Sequence, residues 1–255
     1  MKIKKTIFPS ESLINKTSIK VAETIFRLNQ KSITMGSLVR YSYYPTKLAQ
    51  QDPHLEFTID EMGIFEELVK NNLYDGYDIG LSSQVKFGST LGHILMMDLE
   101  CEPTPENLAK VKKRLSLLFP EEKDIIWVVI DSGHSFQAYS LNKFLYGGMD
   151  NKITKLELFD PTNNSLNSFV SPSFFQEGED KNSKLLIRYA ERCHSVMDHD
   201  EEGKRDKLLD GWWFTHGASR GEMCLRLTQN RPDKLKIPEV VSIINLRSLL
   251  QDSPL

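Results

Sequence analysis

The 255-residue sequence has few of the features that mark specialised protein classes. Its three cysteines, Cys101, Cys193 and Cys224, form no CxxC pair, which argues against a disulfide framework or a cysteine-rich zinc site and predicts reduced, buried thiols. Its 14 glycines and 11 prolines are too few for a collagen-like or wholly disordered chain. The longest unbroken apolar run, residues 125–130, is far shorter than the roughly 20 residues of a membrane span.

Neither the charge balance nor the first residues indicate an unusual location or partner. The net charge of −3 leaves nucleic-acid binding open, because a nearly neutral protein can still gather its cations on one face. Residues 1–6 are basic, but no apolar signal core follows them. We therefore expect a soluble, cytoplasmic protein without a membrane partner.

The first 78 residues read as a mainly helical portion. Apolar residues recur at helical spacing in Ser18–Gln30 and again in Ile59–Leu73. Between these segments, Tyr41–Pro45 reads as an irregular, aromatic-rich connector. We expect this portion to pack with residues 79–255 as one unit.

Residues 79–255 change to a mixture of strands and helices. Thr104 and Pro105 have the residue types of an N-cap and a first helical position, and Leu185–Met197 has helical periodicity. Ile125–Asp131 and the alternating residues 135–140 flank a Ser-Gly turn and predict a hairpin. Residues 212–228 begin and end with strand-like residues. The predicted fold class is α+β, with a mixed or antiparallel sheet and flanking helices.

The apolar run Ile94–Glu100 ends in two acidic residues, Asp98 and Glu100. On a strand, Asp98 and Glu100 point to the same face, roughly 6 to 7 Å apart at the backbone. Two such carboxylates repel each other unless a cation lies between them, and hard oxygen ligands suit Mg²⁺ or Mn²⁺. The alternative is a strand that simply ends in solvent, where acids are ordinary.

Two further motifs carry groups that suit phosphate. Ser132-Gly133-His134 combines a tight turn with a hydroxyl and an imidazole, which is suited to binding a triphosphate. The alternative is an ordinary hairpin turn. Arg226 lies between Leu225 and Leu227, so on a strand it faces away from an apolar side. Its guanidinium suits phosphate recognition or a surface ion pair.

Taken in order, these motifs resemble those of the archaeo-eukaryotic primase superfamily, the primase-polymerase catalytic fold. The matching residues are Met97-Asp98-Leu99-Glu100, Ser132-Gly133-His134, and Asp210 with Leu225-Arg226-Leu227. A closer similarity, from residue 90 to about residue 240, is to a branch of small, stand-alone bacterial primase-like proteins. Its pattern is matched by Met96-Met97-Asp98 with Cys101, by Ser132 through Tyr139, and by Asp210 through Asn230.

The resemblance implies a primase-type sheet core and template-directed nucleotidyl transfer, as in the synthesis or extension of a DNA primer. Two divalent ions, Mg²⁺ or Mn²⁺, would activate a 3′-hydroxyl and stabilise the pyrophosphate leaving group. The implied partners are single-stranded or primer-template DNA, nucleoside triphosphates and the proteins of a replication or defence system. The implied roles are catalysis and metal binding for Asp98 and Glu100, catalysis for Asp210, and nucleotide binding for Ser132, His134 and Arg226.

Two other functions remain open at this point. One is a primase-fold protein that binds nucleotide or nucleic acid, with weak or no catalysis, inside a replication or defence assembly. The other is a metal-dependent phosphoesterase that uses the same carboxylates and His134. The primase-like hypothesis predicts that Asp98, Glu100, His134 and Arg226 open into one cleft. Asp210 lies sixteen positions before Arg226, and we expect it to be the member that is carried away.

Overall fold

The computed structural model describes residues 13–42, 55–73, 77–88, 90–122, 124–146, 155–160, 165–170, 181–200, 202–231 and 234–245. Its helices are α1 (Ser18–Leu28), a 3₁₀ helix (Ile59–Ile64), α2 (Phe65–Asn71), α3 (Pro105–Leu118), α4 (Lys181–Met197) and α5 (Gly211–Arg220). Its strands are β1 (Met35–Ser42), β2 (Leu55–Thr58), β3 (Tyr77–Phe87), β4 (Thr90–Leu99), β5 (Ile126–Asp131), β6 (Phe136–Tyr146), β7 (Lys155–Asp160), β8 (Ser165–Val170), β9 (Cys224–Arg226), β10 (Gln229–Arg231), β11 (Lys234–Lys236) and β12 (Glu239–Asn245).

Ten of these strands form one antiparallel sheet. Its main order is β12-β5-β6-β4-β3-β1-β2, with β7 and β8 continuing from β6, and with β9 beside β3. β10 and β11 pair separately as a two-stranded ribbon. The α+β class with an antiparallel sheet and flanking helices is confirmed. No helix in the described ranges is both long and apolar enough to cross a membrane.

The N-terminal portion contributes strands as well as helices. Helix α1 and the helical segment from Ile59 to Asn71 lie where their periodicity predicts them. Strands β1 and β2, however, extend the sheet beyond β3, so the first 78 residues are not a helical unit set against it. The prediction of an irregular connector from Tyr41 is wrong for Tyr41 and Ser42, which pair with β3, and its remaining residues lie outside the described part. The strand signal was weak because Gly36 interrupts the run of β-forming residues.

Strand β4 runs through the centre of the core. Ile94, Leu95, Met96 and Met97 alternate between the two faces of the sheet, and all four are fully buried. The Tyr189 hydroxyl of α4 donates a 3.2 Å hydrogen bond to the Met96 carbonyl. Both faces of β4 are therefore covered, and its polar end emerges from a dry interior. The three cysteines are free and buried, as predicted.

The sheet splits beside the second half of β4. Residues 84–87 of β3 pair with residues 90–93 of β4, whereas residues 80–82 of β3 pair with β9. Residues 208–210 occupy the edge of β4 that β3 has left: the Glu100 N–H donates to the Leu208 carbonyl at 2.8 Å, and the Asp210 N–H to the Asp98 carbonyl at 3.1 Å. Helix α5 connects this segment to the turn before β9.

The sequence predicts strand-like residues from residue 212 onward, but this part of the chain forms helix α5. The Asp210 Oδ1 accepts the backbone N–H groups of Trp212 at 2.9 Å and Trp213 at 3.1 Å, which is an N-cap. This cap outweighs the strand preference of the aromatic residues that follow it. The strand-like end of the same stretch is confirmed as β9.

The N-terminal segment closes the free edge of β12. The Asn15 N–H donates to the Val240 carbonyl at 3.0 Å, and the Val240 N–H donates to the Lys16 carbonyl at 2.8 Å. Ser18 adds a side-chain hydrogen bond of 2.6 Å to the Leu227 carbonyl. Segments more than 200 residues apart in the chain are thus held together by backbone pairing.

Candidate functional site

A cavity of about 260 Å³ lies at the end of β4, between the β5–β6 turn and the start of α5. It is lined by Asp98, Leu99, Glu100, Cys101, Glu102, His134, Ser135 and Asp210. The β4 strand and the β5–β6 hairpin are neighbours in one sheet, as expected, because Asp98 lies opposite Gln137 of β6. Three of the predicted acids and the predicted histidine therefore share one cleft.

Asp98 is the most perturbed acid of this cleft. Burial at the end of the apolar strand, and next the negative charge of Asp210, raise the pKa of Asp98 from 3.8 to about 7. The positive charge of Arg226 and a hydrogen bond from the Leu99 N–H act in the opposite direction, while Glu100 contributes a smaller repulsion. The carboxylate that opposes Asp98 most strongly is therefore Asp210, not Glu100.

The expectation that Asp210 is carried away from the cleft is wrong. Its backbone is bonded to the Asp98 carbonyl, and its side chain both caps α5 and lines the cavity. Helix α5 accounts for most of the interval between Asp210 and Arg226, so this part of the chain doubles back beside β4 instead of extending away.

Asp198 fixes the segment that carries Asp210. One oxygen of Asp198 accepts the backbone N–H groups of Leu208 and Leu209, each at 2.9 Å, and the other lies 2.7 Å from His194 Nδ1. Burial opposes ionisation of Asp198, but the hydrogen bond from His194 and those from the backbone hold its pKa below the usual value. An ionised Asp198 thus holds residues 208–210 in place beside β4.

Glu100 lies just beyond the end of β4 and is largely exposed. Its side chain retains 58% of its accessible surface and forms an ion pair with Lys207. Glu100 therefore borders the cleft and is also a solvent-facing acid just beyond a strand end.

Within the predicted phosphate-binding turn, the two side chains have different surroundings. The Ser132 hydroxyl is buried and donates to the Ser135 carbonyl at 2.9 Å, so it closes the turn and does not line the cavity. Gly133 has φ +91°, a backbone conformation that favours glycine, and its N–H donates to Asp131 Oδ1 at 2.6 Å. His134 is exposed at the tip and lines the cavity.

Arg226 lies on β9, with Leu225 and Leu227 buried on the opposite side as predicted. Its Nη1 lies 3.6 Å from Oδ2 of Asp78, a fully buried carboxylate on β3. Arg226 is close enough to lower the pKa of Asp98, but it is not among the residues that line the cavity. It therefore borders the cleft from the β3 side.

Sequence reasoning missed three charged residues of this region. Asp78 pairs with Arg226, Lys207 pairs with Glu100, and Glu102 lines the cavity. An acid inside the apolar start of β3 is a signal that could have identified Asp78, because a buried carboxylate needs a cationic or hydrogen-bonding partner. Lys207 and Glu102 lie in charged stretches that carry no such signal.

Two uncharged polar groups lie on β6, on the same face as Asp98. In the register of β4 and β6, Gln137 lies opposite Asp98, and Tyr139 lies opposite Met96. Both side chains are buried, and neither the Tyr139 hydroxyl nor the Gln137 Oε1 has a hydrogen-bond partner among the described residues. Burial, and next the charge of Asp98, raise the pKa of Tyr139. The sheet next to Asp98 thus has hydrogen-bonding capacity that the described protein groups leave unused.

A divalent cation fits this donor set only if substrate or solvent completes its coordination. No group of three or more His, Cys, Asp or Glu side chains within the described ranges is arranged to hold a metal ion. Mg²⁺, however, is commonly held by one or two carboxylates together with waters and substrate phosphates. Asp98 and Asp210 are such a pair. Cys101 is unsuited as a nucleophile, because burial raises the pKa of its thiol to about 11.

The comparisons with known proteins add no relative to this description. No family model, curated protein or solved structure matches the chain.

Proposed function

We propose that the protein is a divalent-metal-dependent nucleotidyltransferase of the primase-polymerase type, which synthesises or extends a DNA primer on a template. The observation that carries this proposal is the opposition of Asp98 and Asp210 in one cleft. Like charges held together beside a dry core destabilise the protein unless a cation offsets them. The order of the three motifs in the sequence supports the same assignment.

In this proposal Asp98 and Asp210 hold Mg²⁺ or Mn²⁺, with Glu100 and Glu102 adding negative charge at the rim. The metal supplies activation of a 3′-hydroxyl and charge stabilisation at the leaving pyrophosphate. His134, at the exposed tip of its turn, donates hydrogen bonds to the phosphates of a nucleoside triphosphate. Arg226 adds positive charge from the opposite side, and the Ser132 hydroxyl acts by shaping the turn.

Incorporation of labelled nucleotides on a primed single-stranded DNA template, with Mg²⁺ or Mn²⁺, tests this proposal. Asp98→Asn and Asp210→Asn should each reduce incorporation by about a hundredfold or more, because each removes a ligand charge without changing side-chain size. Glu106→Gln is the matched control, since Glu106 is an exposed acid on α3 whose side chain retains 82% of its surface. Incorporation that is independent of metal, or is unchanged in Asp98→Asn, would overturn the proposal.

A second candidate function is favoured by the ion pairs around the cleft. Glu100 is paired with Lys207 and Arg226 with Asp78, and the described residues provide no three-ligand metal cluster. A primase-fold protein that binds nucleotide or nucleic acid without turnover, as part of a replication or defence assembly, would need no more than this. Binding of a nucleoside triphosphate or an oligonucleotide without incorporation under either metal would identify this second function.

A further inference from the structure

Trp212, at the start of α5, is a large aromatic residue on the protein surface. Its residue retains 72% of its accessible surface, the largest value among the exposed large hydrophobic side chains of the described part. Trp213, next to it, is partly buried, donates its indole N–H to the Cys224 carbonyl at 2.7 Å and packs edge-on against Phe214 at 4.8 Å between ring centroids. Trp213 therefore anchors α5, whereas Trp212 presents its ring to solvent.

Trp212 lies two residues after Asp210, at the border of the candidate site. Asp210, which lines the cavity, accepts the backbone N–H of Trp212 at 2.9 Å. That hydrogen bond and the anchored Trp213 fix the backbone from which the Trp212 ring extends. The Trp212 ring therefore extends from the capped first turn of α5, two residues after a residue that lines the cavity.

The segment that precedes α5 carries two adjacent exposed cations. Lys204 and Arg205 are exposed. Asp206, the acid that follows them, is turned towards α3, where it accepts a 2.6 Å hydrogen bond from Arg114. Lys204 and Arg205 thus precede Trp212 by eight and seven positions in the sequence, and the exposed Glu202 lies before them.

We propose that Trp212 is a stacking platform for a base of the single-stranded nucleic acid that enters the cleft. This inference rests on the proposed function, because it assigns the strand-binding surface of the same site. An aromatic ring stacks on every base and so binds a strand without reading its sequence, while nearby cations contact the backbone. The occupant is the strand and not the nucleoside triphosphate, whose phosphates belong at His134 and Arg226 on other elements.

The experiment compares the full-length protein with Trp212→Ala, Trp212→Phe and Leu117→Ala. Leu117 is the matched control, because it is an exposed apolar residue on α3 with 48% of its surface accessible. A fluorescently labelled oligo-dT of about 15 nucleotides and a labelled thymidine triphosphate serve as the two probes, each titrated with Mg²⁺ at several salt concentrations. Thermal melting of each variant checks that the fold is retained.

Trp212→Ala should bind the oligonucleotide about five- to a hundredfold more weakly, whereas Trp212→Phe should retain most of the affinity. The dependence of affinity on salt should not change, because an uncharged ring releases no counterions. Affinity for the triphosphate, and the behaviour of Leu117→Ala, should stay at the wild-type level. Equal oligonucleotide affinity in Trp212→Ala, or a loss confined to the triphosphate, would overturn the inference alone. A wild-type protein that binds neither probe would overturn the proposed function with it.

Discussion

Replacing Asp98 by asparagine should stabilise the metal-free protein at alkaline pH. The carboxylate of Asp98 is held next to that of Asp210 at the end of an apolar strand, so its ionised form is disfavoured in the folded state. Asparagine has the same shape, keeps an acceptor for the Leu99 N–H and carries no charge. A residue proposed to bind a metal ion thereby weakens the metal-free fold, as is common at functional sites.

The magnitude follows from the two pKa values of Asp98. The interval from 3.8 to about 7 corresponds to at most about 4 kcal/mol, and partial access of solvent to Asp98 reduces this to about 2 to 4 kcal/mol. Because the folded pKa is raised, this group contributes most stability below pH 4. That contribution is lost as the pH rises towards 7 and stays lost above it. The asparagine variant should therefore gain about 5 to 15 °C in melting temperature at pH 8 and almost nothing at pH 4.

Thermal melting of wild type and Asp98→Asn from pH 4 to pH 8.5, with a chelator present, measures this difference. The contributions of other titrating groups cancel when the two proteins are compared at one pH. Addition of Mn²⁺ at pH 8 should raise the melting temperature of the wild type more than that of the variant, since a ligand stabilises only the state that binds it. A variant that is no more stable than wild type at pH 8, or whose advantage is the same at every pH, would refute the reasoning.

Three further predictions concern the scaffold. Gly36→Ala should destabilise the protein by about 1 to 3 kcal/mol in urea unfolding, because a Cβ would lie 2.4 Å from the Phe26 ring. Gly63→Ala is the control: a Cβ there has open space around it and should cause no such steric destabilisation. Lys143→Met should lower the free energy of unfolding by about 3 to 5 kcal/mol, because the buried carboxylate of Glu122, 3.2 Å from Nζ, loses this partner. Adding Glu122→Leu to this variant should recover most of the lost stability, and additive losses in the double variant would contradict the prediction. Asp198→Asn should lower the free energy of unfolding by about 1 to 2 kcal/mol at pH 7. Because the pKa of Asp198 is lowered in the folded state, the difference in stability between variant and wild type should shrink as the pH falls below 4. A difference in stability that is the same at every pH would contradict this.

The parts of the fold that could be predicted from sequence are those with a strong local signal. Thr104 accepts the Asn107 N–H as an N-cap, and Pro105 begins α3, as the residue types predict. The β5–β6 hairpin around Gly133 follows from two apolar runs and a turn. The two N-terminal strands were missed because β1 pairs with β3, about forty residues later in the chain, and β2 pairs with β1, and no short window reveals these contacts.

The candidate site divides in the same way. Alternation predicts that Asp98 and Glu100 share one face, and turn chemistry predicts His134 at the tip of its hairpin. The pairing of β4 with β6 that brings these residues together is a tertiary contact. The position of Asp210 depends on the splitting of the sheet and on the helix that it caps, both of which are decided by tertiary contacts. The partners of Arg226 and Glu100 depend on side chains from other parts of the chain, Asp78 and Lys207, whose proximity the sequence does not encode locally.

The closure of β12 by residues 15–18 has a consequence for synthesis on the ribosome. Strand β5 is buried along residues 126–130, and among the described residues its outer edge is covered by β12 alone, whose residues are translated more than a hundred positions later. Until then the nascent chain carries a valine- and isoleucine-rich edge that can pair with another chain. The segment that begins with Asn15 must also wait, since its backbone partner Val240 does not yet exist. Slow elongation before residue 239 should therefore favour aggregation, and an early supply of the β12 peptide in trans should suppress it.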